Sequence, residues 1–160
     1  MSMHIIPITE QYDASVRDII ETVGKEYGAI GDGFGPSDAE VQAMSQYYNP
    51  EQGSQYFVAI EHGQVIGGGG IAPFLDSSDT CELRKVFLLP AARGKGAGKQ
   101  LVQTCLDVAR QLGYRQCYLD TLSAMKSAIS LYERLGFEHR SEPMPGVIHT
   151  GCDVWMDMTL

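Results

Sequence analysis

Residues 82–98 read Glu82-Leu83-Arg84-Lys85-Val86-Phe87-Leu88-Leu89-Pro90-Ala91-Ala92-Arg93-Gly94-Lys95-Gly96-Ala97-Gly98. The apolar run before Pro90 predicts a strand over Cys81–Leu89, ended by a residue with no amide to donate. Beyond it, Leu101, Val102, Cys105, Leu106, Ala109 and Leu112 recur on one face of a helix from about Ala97 to Leu112, with Gly113 as its stop. Between strand and helix lies Arg93-Gly94-Lys95-Gly96-Ala97-Gly98, followed by Lys99. Glycines let backbone approach a ligand, and a helix N-terminus offers unpaired amides and the positive end of the helix dipole, so such a turn can hold a pyrophosphate without Mg²⁺. Arg93, Lys95 and Lys99 would supply the charge. The competing reading is a plain basic surface turn.

Two familiar phosphate motifs do not fit. A Walker A loop requires Arg93 to be glycine and Gln100 to be serine or threonine, and a dinucleotide fingerprint counted from Gly94 requires glycine where Lys99 stands.

Working outward, His4–Ile8 reads as a strand and Tyr12–Tyr27 as a helix carrying Val16, Ile19, Ile20 and Val23. A glycine-rich stretch, Gly28–Pro36, precedes a helix through Tyr47 that Ser37 would cap with Glu40 as its box partner. Gln55–Glu61 and Gln64–Phe74 are two strands joined by His62-Gly63, a hairpin signal. The second strand contains four consecutive glycines, Gly67 to Gly70, which mark either close packing or a face crossed by a ligand. Cys117–Thr121 reads as a strand, Ala124–Leu135 as a helix stopped by Gly136, and Phe137–Arg140 and Cys152–Met158 as strands. The order describes one α/β (α+β) domain over residues 1–160, a mixed sheet with helices on it.

The chain has 160 residues, the size of one core, with 44% hydrophobic and 20% charged residues, a globular composition. A net charge of −8 argues against nucleic acid as partner. No apolar run reaches the roughly 18 to 20 residues that span a bilayer, and Met1–Glu10 lacks the pattern of a secretion signal, so no membrane partner and a cytoplasmic location are expected. Cys81, Cys105, Cys117 and Cys152 are widely spaced and read as reduced thiols. No metal is expected: His149 and Cys152 have ligand spacing, but two ligands do not make a site. Charge is uneven. Residues 1–80 carry two cations against twelve carboxylates, and residues 81–160 carry ten cations against eight. A cationic patch at Arg84, Lys85, Arg93, Lys95 and Lys99 suits a small anion, whereas the acidic half suits a cation.

Residues 82–98, with Leu131-Tyr132-Glu133-Arg134-Leu135-Gly136-Phe137, resemble the core of the GNAT N-acetyltransferase superfamily. That family's acyl-CoA loop, Arg/Gln-x-x-Gly-x-Gly/Ala, is matched by Arg93, Gly96 and Gly98. At Met125, relatives often carry asparagine. The resemblance implies a mostly antiparallel sheet of six to seven strands with about four helices, in which the fourth and fifth strands splay apart. It implies acetyl-CoA as acyl donor and a small-molecule or peptide amine as acceptor, and it leaves a homodimer open.

The same resemblance assigns roles. The pantetheine arm would pair with backbone of Val86, Phe87 and Leu88 like an added strand, and an amide near Leu88 would polarise the thioester carbonyl. Gly94, Lys95, Gly96, Ala97, Gly98 and Lys99, with Arg93, would hold the pyrophosphate. Glu82 would accept the amine proton, against the alternative of an ion pair with a neighbouring cation. Tyr132 would protonate departing CoA, against the alternative of a packed phenol. The loop Ser141–Gly151 would form a lip of the acceptor pocket, which Tyr27, Phe34, Tyr47 and Tyr48 would line unless they belong to the core. Ser123 and Ser130 are further candidates for donor contact. Two other classes share the glycine turn: a catalytically silent acyl-CoA binding or sensing module, and a nucleotide-binding protein. Glu82 and Tyr132 favour the enzyme over the first; the missing Walker residue argues against the second.

Overall fold

The computed structural model describes residues 3–29, 31, 34, 38–147 and 151–160. Seven strands form one sheet in the order β1-β2-β3-β4-β5-β7-β6: β1 Met3–Pro7, β2 Gln55–Glu61, β3 Gln64–Pro73, β4 Thr80–Leu88, β5 Gln116–Thr121, β6 Glu138–Arg140 and β7 Val154–Thr159. All neighbours are antiparallel except β4 and β5. Among the described residues, three α-helices, α1 Asp13–Glu26, α2 Ala97–Gln111 and α3 Lys126–Leu135, pack on the sheet with a 3₁₀ segment at Ala39–Gln46.

Strand periodicity divides the core into two layers. In β2, Phe57 and Ala59 meet Leu101, Cys105 and Leu106 of α2, whereas Tyr56 and Val58 meet Val16 and Ile20 of α1 and Val41 and Met44 of the 3₁₀ segment. His62 and Gly63 both adopt positive φ, 52° and 76°, as a two-residue hairpin requires. Leu112, expected on the apolar face of α2, lies past the helix end and is exposed.

The helix expected before Tyr47 is a kinked 3₁₀ segment with Ala43 at non-helical φ −152°, ψ 66°. Asp38 precedes it without a side-chain cap, and Ser37 lies outside the described residues. Glu40, expected as the box partner of Ser37, has a carboxylate that accepts from the Tyr48 hydroxyl at 2.5 Å and faces Lys85. Long-range pairing has taken the side chain that a regular first turn would have used.

The four glycines are explained by packing. A Cβ at Gly68 or Gly70 would fall 2.6–2.7 Å from the Tyr56 ring, one at Gly67 would strike Leu88, and one at Gly69 would press on Val86. The tract is where the Tyr56 ring crosses β3.

A bulge then reorients β4. Its pairing with β3 shifts between Gly68 and Gly70, and Lys85 sits at φ 53°. Before the bulge Cys81 and Leu83 face α2; after it Val86 and Leu88 do, so the strand has changed parity. Arg84 and Lys85, consecutive in sequence, therefore both turn to the opposite face and both reach Glu40, at 4.0 and 3.8 Å.

Candidate active site

β4 and β5 pair only at Thr80–Gln116, Cys81–Cys117 and Glu82–Tyr118. Beyond Glu82, among the described residues, the strands part, as the splay of a fourth and fifth strand requires. Two cavities open there and share Val86, Met125 and Tyr132.

The larger, about 800 Å³, runs between α1, the glycine turn and α3. Its wall includes Val86, Leu88, Gly94, Gly96, Gly98 and Lys99, with Ser130 and Leu131 opposite. Gly94 and Gly96 have φ of 77° and 86°, which β-carbon-bearing residues resist, and a Cβ at either would meet nothing within 4 Å. The turn thus presents bare backbone toward the groove, and Gly96 starts α2 with no side-chain cap competing for its first amides. Gly98 is tight instead: its Cβ would lie 3.2 Å from Leu88 and Leu131. Ala97 is buried beneath the turn, whereas Lys95 and Lys99 are exposed on it.

Arg93 also stands in the wall of this cavity, with its guanidinium bonded to protein. Its guanidinium makes two hydrogen bonds to the Glu26 carboxylate, 2.6 and 2.8 Å, donates to the Leu88 carbonyl from Nε and a terminal nitrogen at 3.2 and 3.0 Å, and stacks 5.4 Å from the Tyr27 ring centroid. The hydrogen bond from Arg93 holds the Glu26 carboxyl below its usual range.

The smaller cavity, about 80 Å³, is lined by Glu82, Arg84, Lys85, Asp120, Cys152 and Phe34 among others. Glu82 is buried and accepts from Arg84 Nε at 2.8 Å. The ion-pair alternative for Glu82 is therefore realised, at the mouth of a cleft. Burial opposes the charge on Arg84, but Glu82 beside it, Tyr48 and Glu40 together outweigh that penalty and hold the guanidinium protonated. Lys85 has a side chain only 2% exposed and pairs with Asp38 at 2.9 Å. The Phe87 side chain faces this cleft and the α1 layer rather than the larger groove. Cys152 is half-buried; burial first, then the charge and hydrogen bond of Asp120, push its thiol well up, so it stays protonated.

Tyr132 lies on both cavities, 5% exposed, its ring edge-on to Phe137 at 5.8 Å. Burial pushes its phenol well above the ordinary value. It is at once a packed ring and one of the three residues common to both chambers.

Of the aromatic residues expected to line an acceptor pocket, Phe34 lines the smaller cavity and Tyr27 the larger, Tyr48 is core against Tyr56, and Tyr47 is exposed. Ser123 binds Asp153 through its amide and hydroxyl, both at 2.8 Å. In the 141–151 loop, Gly146 packs on Leu75 and Gly151 on Phe34, which brings the loop to the smaller cavity; His149 lies outside the described residues. Sequence reading missed Glu26 of α1 and Asp120, and it gives Val23 only as part of a helix face, Tyr27 as an acceptor-pocket candidate and Cys152 as a thiol. Their spacing carries no motif, because only tertiary structure joins them to residues 82–98. Among the described residues, no three His, Cys, Asp or Glu side chains are grouped to hold a metal, and no helix is long and apolar enough to cross a membrane.

The model of the acetyltransferase (GNAT) family matches residues 23–137. The chain is 41% identical over 151 residues to the uncharacterized N-acetyltransferase YjgM of Escherichia coli K12, covering 93% of this chain and 90% of that one. Among solved structures, a GNAT-family acetyltransferase from Staphylococcus aureus Mu50 superposes with a TM-score of 0.82 at 19% identity over 99% of both chains. A phosphinothricin acetyltransferase from Sinorhizobium meliloti, in complex with acetyl-CoA, does so at 0.76 and 24%, covering all of this chain and 89% of that one. The chain belongs to the GNAT acetyltransferase family.

Proposed function

We propose that this protein transfers an acetyl group from acetyl-CoA to a primary amine by direct attack within a ternary complex. The observation that carries this reading is the junction of the two cavities where β4 and β5 part, one walled by the glycine turn and the start of α2, the other by carboxylates.

The donor belongs in the larger groove. Backbone from Gly94 to Gly98 and the ammonium groups of Lys95 and Lys99 hold the pyrophosphate, while Val86, Phe87 and Leu88 offer strand backbone to the pantetheine amides. An amide near Leu88 polarises the thioester carbonyl. The amine enters through the smaller cleft and loses a proton to Glu82, directly or through water, since an alkylammonium is not a nucleophile. Tyr132 supplies a proton to the departing sulfur. Direct attack fits the thiols as well: the half-buried thiol in the cleft, Cys152, is held protonated and is a poor acyl carrier.

The acceptor is cationic on this reading. Asp38, Glu40, Glu82 and Asp120 stand in or beside the cleft against Arg84 and Lys85, so the local balance is negative.

Release of CoA, followed with a thiol reagent over polyamines, amino acids, aminoglycosides and peptide N-termini, tests the proposal. Turnover with at least one amine, lost in Glu82→Gln, is expected. Binding of acetyl-CoA with no turnover on any of them, and no rise in melting point with ATP, would instead identify an acyl-CoA binding module.

A further inference from the structure

The most specific contact around the donor groove that the proposed chemistry does not use is Glu26 with Arg93, 67 residues apart in sequence. Glu26 is the last residue of α1, where the helix dipole is negative and an acidic side chain is locally unfavourable. Its placement is compensated by both terminal nitrogens of Arg93. Arg93 in turn donates to the carbonyl of Leu88, where β4 ends before Pro90, and stacks on Tyr27. Three of the four residues joined in this way, Arg93, Tyr27 and Leu88, line the groove, and Glu26 stands next to Tyr27 in the chain.

We propose that the Glu26–Arg93 pair is a clamp that sets the width of the donor groove, so that Arg93 acts on acetyl-CoA by positioning the wall along the pantetheine arm and not as a pyrophosphate ligand. This rests on the donor assignment above. Each of its guanidinium hydrogen bonds is already directed at protein, two at α1 and two at the end of β4. Releasing them removes this tie between the C-terminal end of α1 and the end of β4, while the buried face of α1 stays on the sheet. Phosphate recognition is left to backbone at Gly94–Gly98 and to Lys95 and Lys99.

A phosphate ligand and a wall clamp differ in which part of the donor they affect. Binding of acetyl-CoA and of S-acetylpantetheine, which has no phosphate, is measured by calorimetry or NMR titration for the parent, Glu26→Gln, Arg93→Ala and the double variant. The clamp predicts that both single variants weaken both ligands by the same factor, about three- to tenfold for a bidentate, partly exposed pair with a stacked ring. The double variant should be no weaker than either single one. Both variants should retain the parent fold by circular dichroism, since the pair lies at the surface. If Arg93→Ala weakens acetyl-CoA but leaves S-acetylpantetheine unchanged, Arg93 is a phosphate ligand and the clamp is wrong. If Glu26→Gln alters neither ligand, the clamp is equally wrong. A parent protein that binds neither would overturn the donor assignment itself, an outcome distinct from both.

Discussion

The hydroxyl of Tyr56 on β2 donates to the main-chain carbonyl of Lys85 on β4 at 2.6 Å, reaching across the whole width of β3. It can do so because Gly68 and Gly70 leave the intervening strand bare where the ring passes. The carbonyl it satisfies belongs to the bulge residue, which points away from regular ladder pairing. This one contact pins the bulge, and the bulge turns Val86 and Leu88 to the α2 side and the larger cavity while Arg84 and Lys85 face the smaller one.

Tyr56→Phe keeps the ring and leaves that buried carbonyl unsatisfied, at a cost of about 1 to 3 kcal/mol. Gly68→Ala acts on the same contact from the other side, since its Cβ would lie 2.7 Å from the Tyr56 ring and hydroxyl. Urea unfolding of the two variants checks both. A Tyr56→Phe midpoint equal to that of the parent would mean that water or a shifted backbone replaces the bond.

Lys85→Met is expected to be more damaging. The ammonium is buried between Asp38 at 2.9 Å and Glu40 at 3.8 Å, and removing it leaves two carboxylates without that cation, a loss of about 3 to 5 kcal/mol when one partner of a buried pair is deleted. Thermal denaturation should show it. Asp38→Asn, at the more exposed end of the pair, should cost less.

Gly96 and Gly113 stand at opposite ends of α2, both at positive φ and both with open space where a Cβ would go. Glutamate at either position incurs similar backbone strain, about 1 to 2 kcal/mol. Only Gly96→Glu sets a carboxylate against the proposed pyrophosphate site, so it should weaken acetyl-CoA by at least about tenfold, while Gly113→Glu leaves donor affinity alone. Equal donor affinity in the two variants would remove the turn from the donor site.

Tyr132→Phe should lower the rate by about 10² with little change in acetyl-CoA affinity, the lower end of what general acids contribute. The pH dependence has a definite sign. Burial raises the phenol pKa, so the neutral, proton-bearing form persists above the usual tyrosine range, and the free enzyme should show no basic limb from this residue up to about pH 10. The parent and Tyr132→Phe should therefore have parallel profiles in kcat/KM displaced vertically. Parent-level turnover by Tyr132→Phe across pH 6 to 10 would reduce Tyr132 to its packing role against Phe137.

Cationic amines should outcompete neutral and acidic acceptors, by a margin that narrows as salt is raised from about 10 mM toward 1 M, because the Debye length falls from about 30 to 3 Å. Competition assays at matched pH read this directly. An acidic amino acid as best acceptor at low salt would overturn it.

Where the chain's own neighbours decide conformation, the sequence was sufficient. The His62-Gly63 turn needs two consecutive positive φ values and has them. The face of α2 from Leu101 to Ala109 is buried as its spacing requires, and the glycine turn before it stands on the groove with Gly94, Gly96 and Lys99. Those features depend on periodicities of two and 3.6 residues and on glycine's freedom of φ, all local properties.

What depended on distant partners was not legible. Strict alternation along residues 82–88 would put Arg84, Val86 and Leu88 on one face; the bulge at Lys85 separates them, and it exists because Tyr56 and the glycines of β3 meet it from another strand. Arg93 reads as a phosphate-facing cation until α1 brings Glu26 to it. Glu40 reads as a helix-capping residue until Lys85 and Tyr48 claim it, since a charge-assisted contact to a buried cation outweighs a capping bond to one amide. The sequence determined the elements and the glycine turn; the packing of α1 and β2 against β4 alone decided which side chains line the larger cavity, which line the smaller and which are spent on one another.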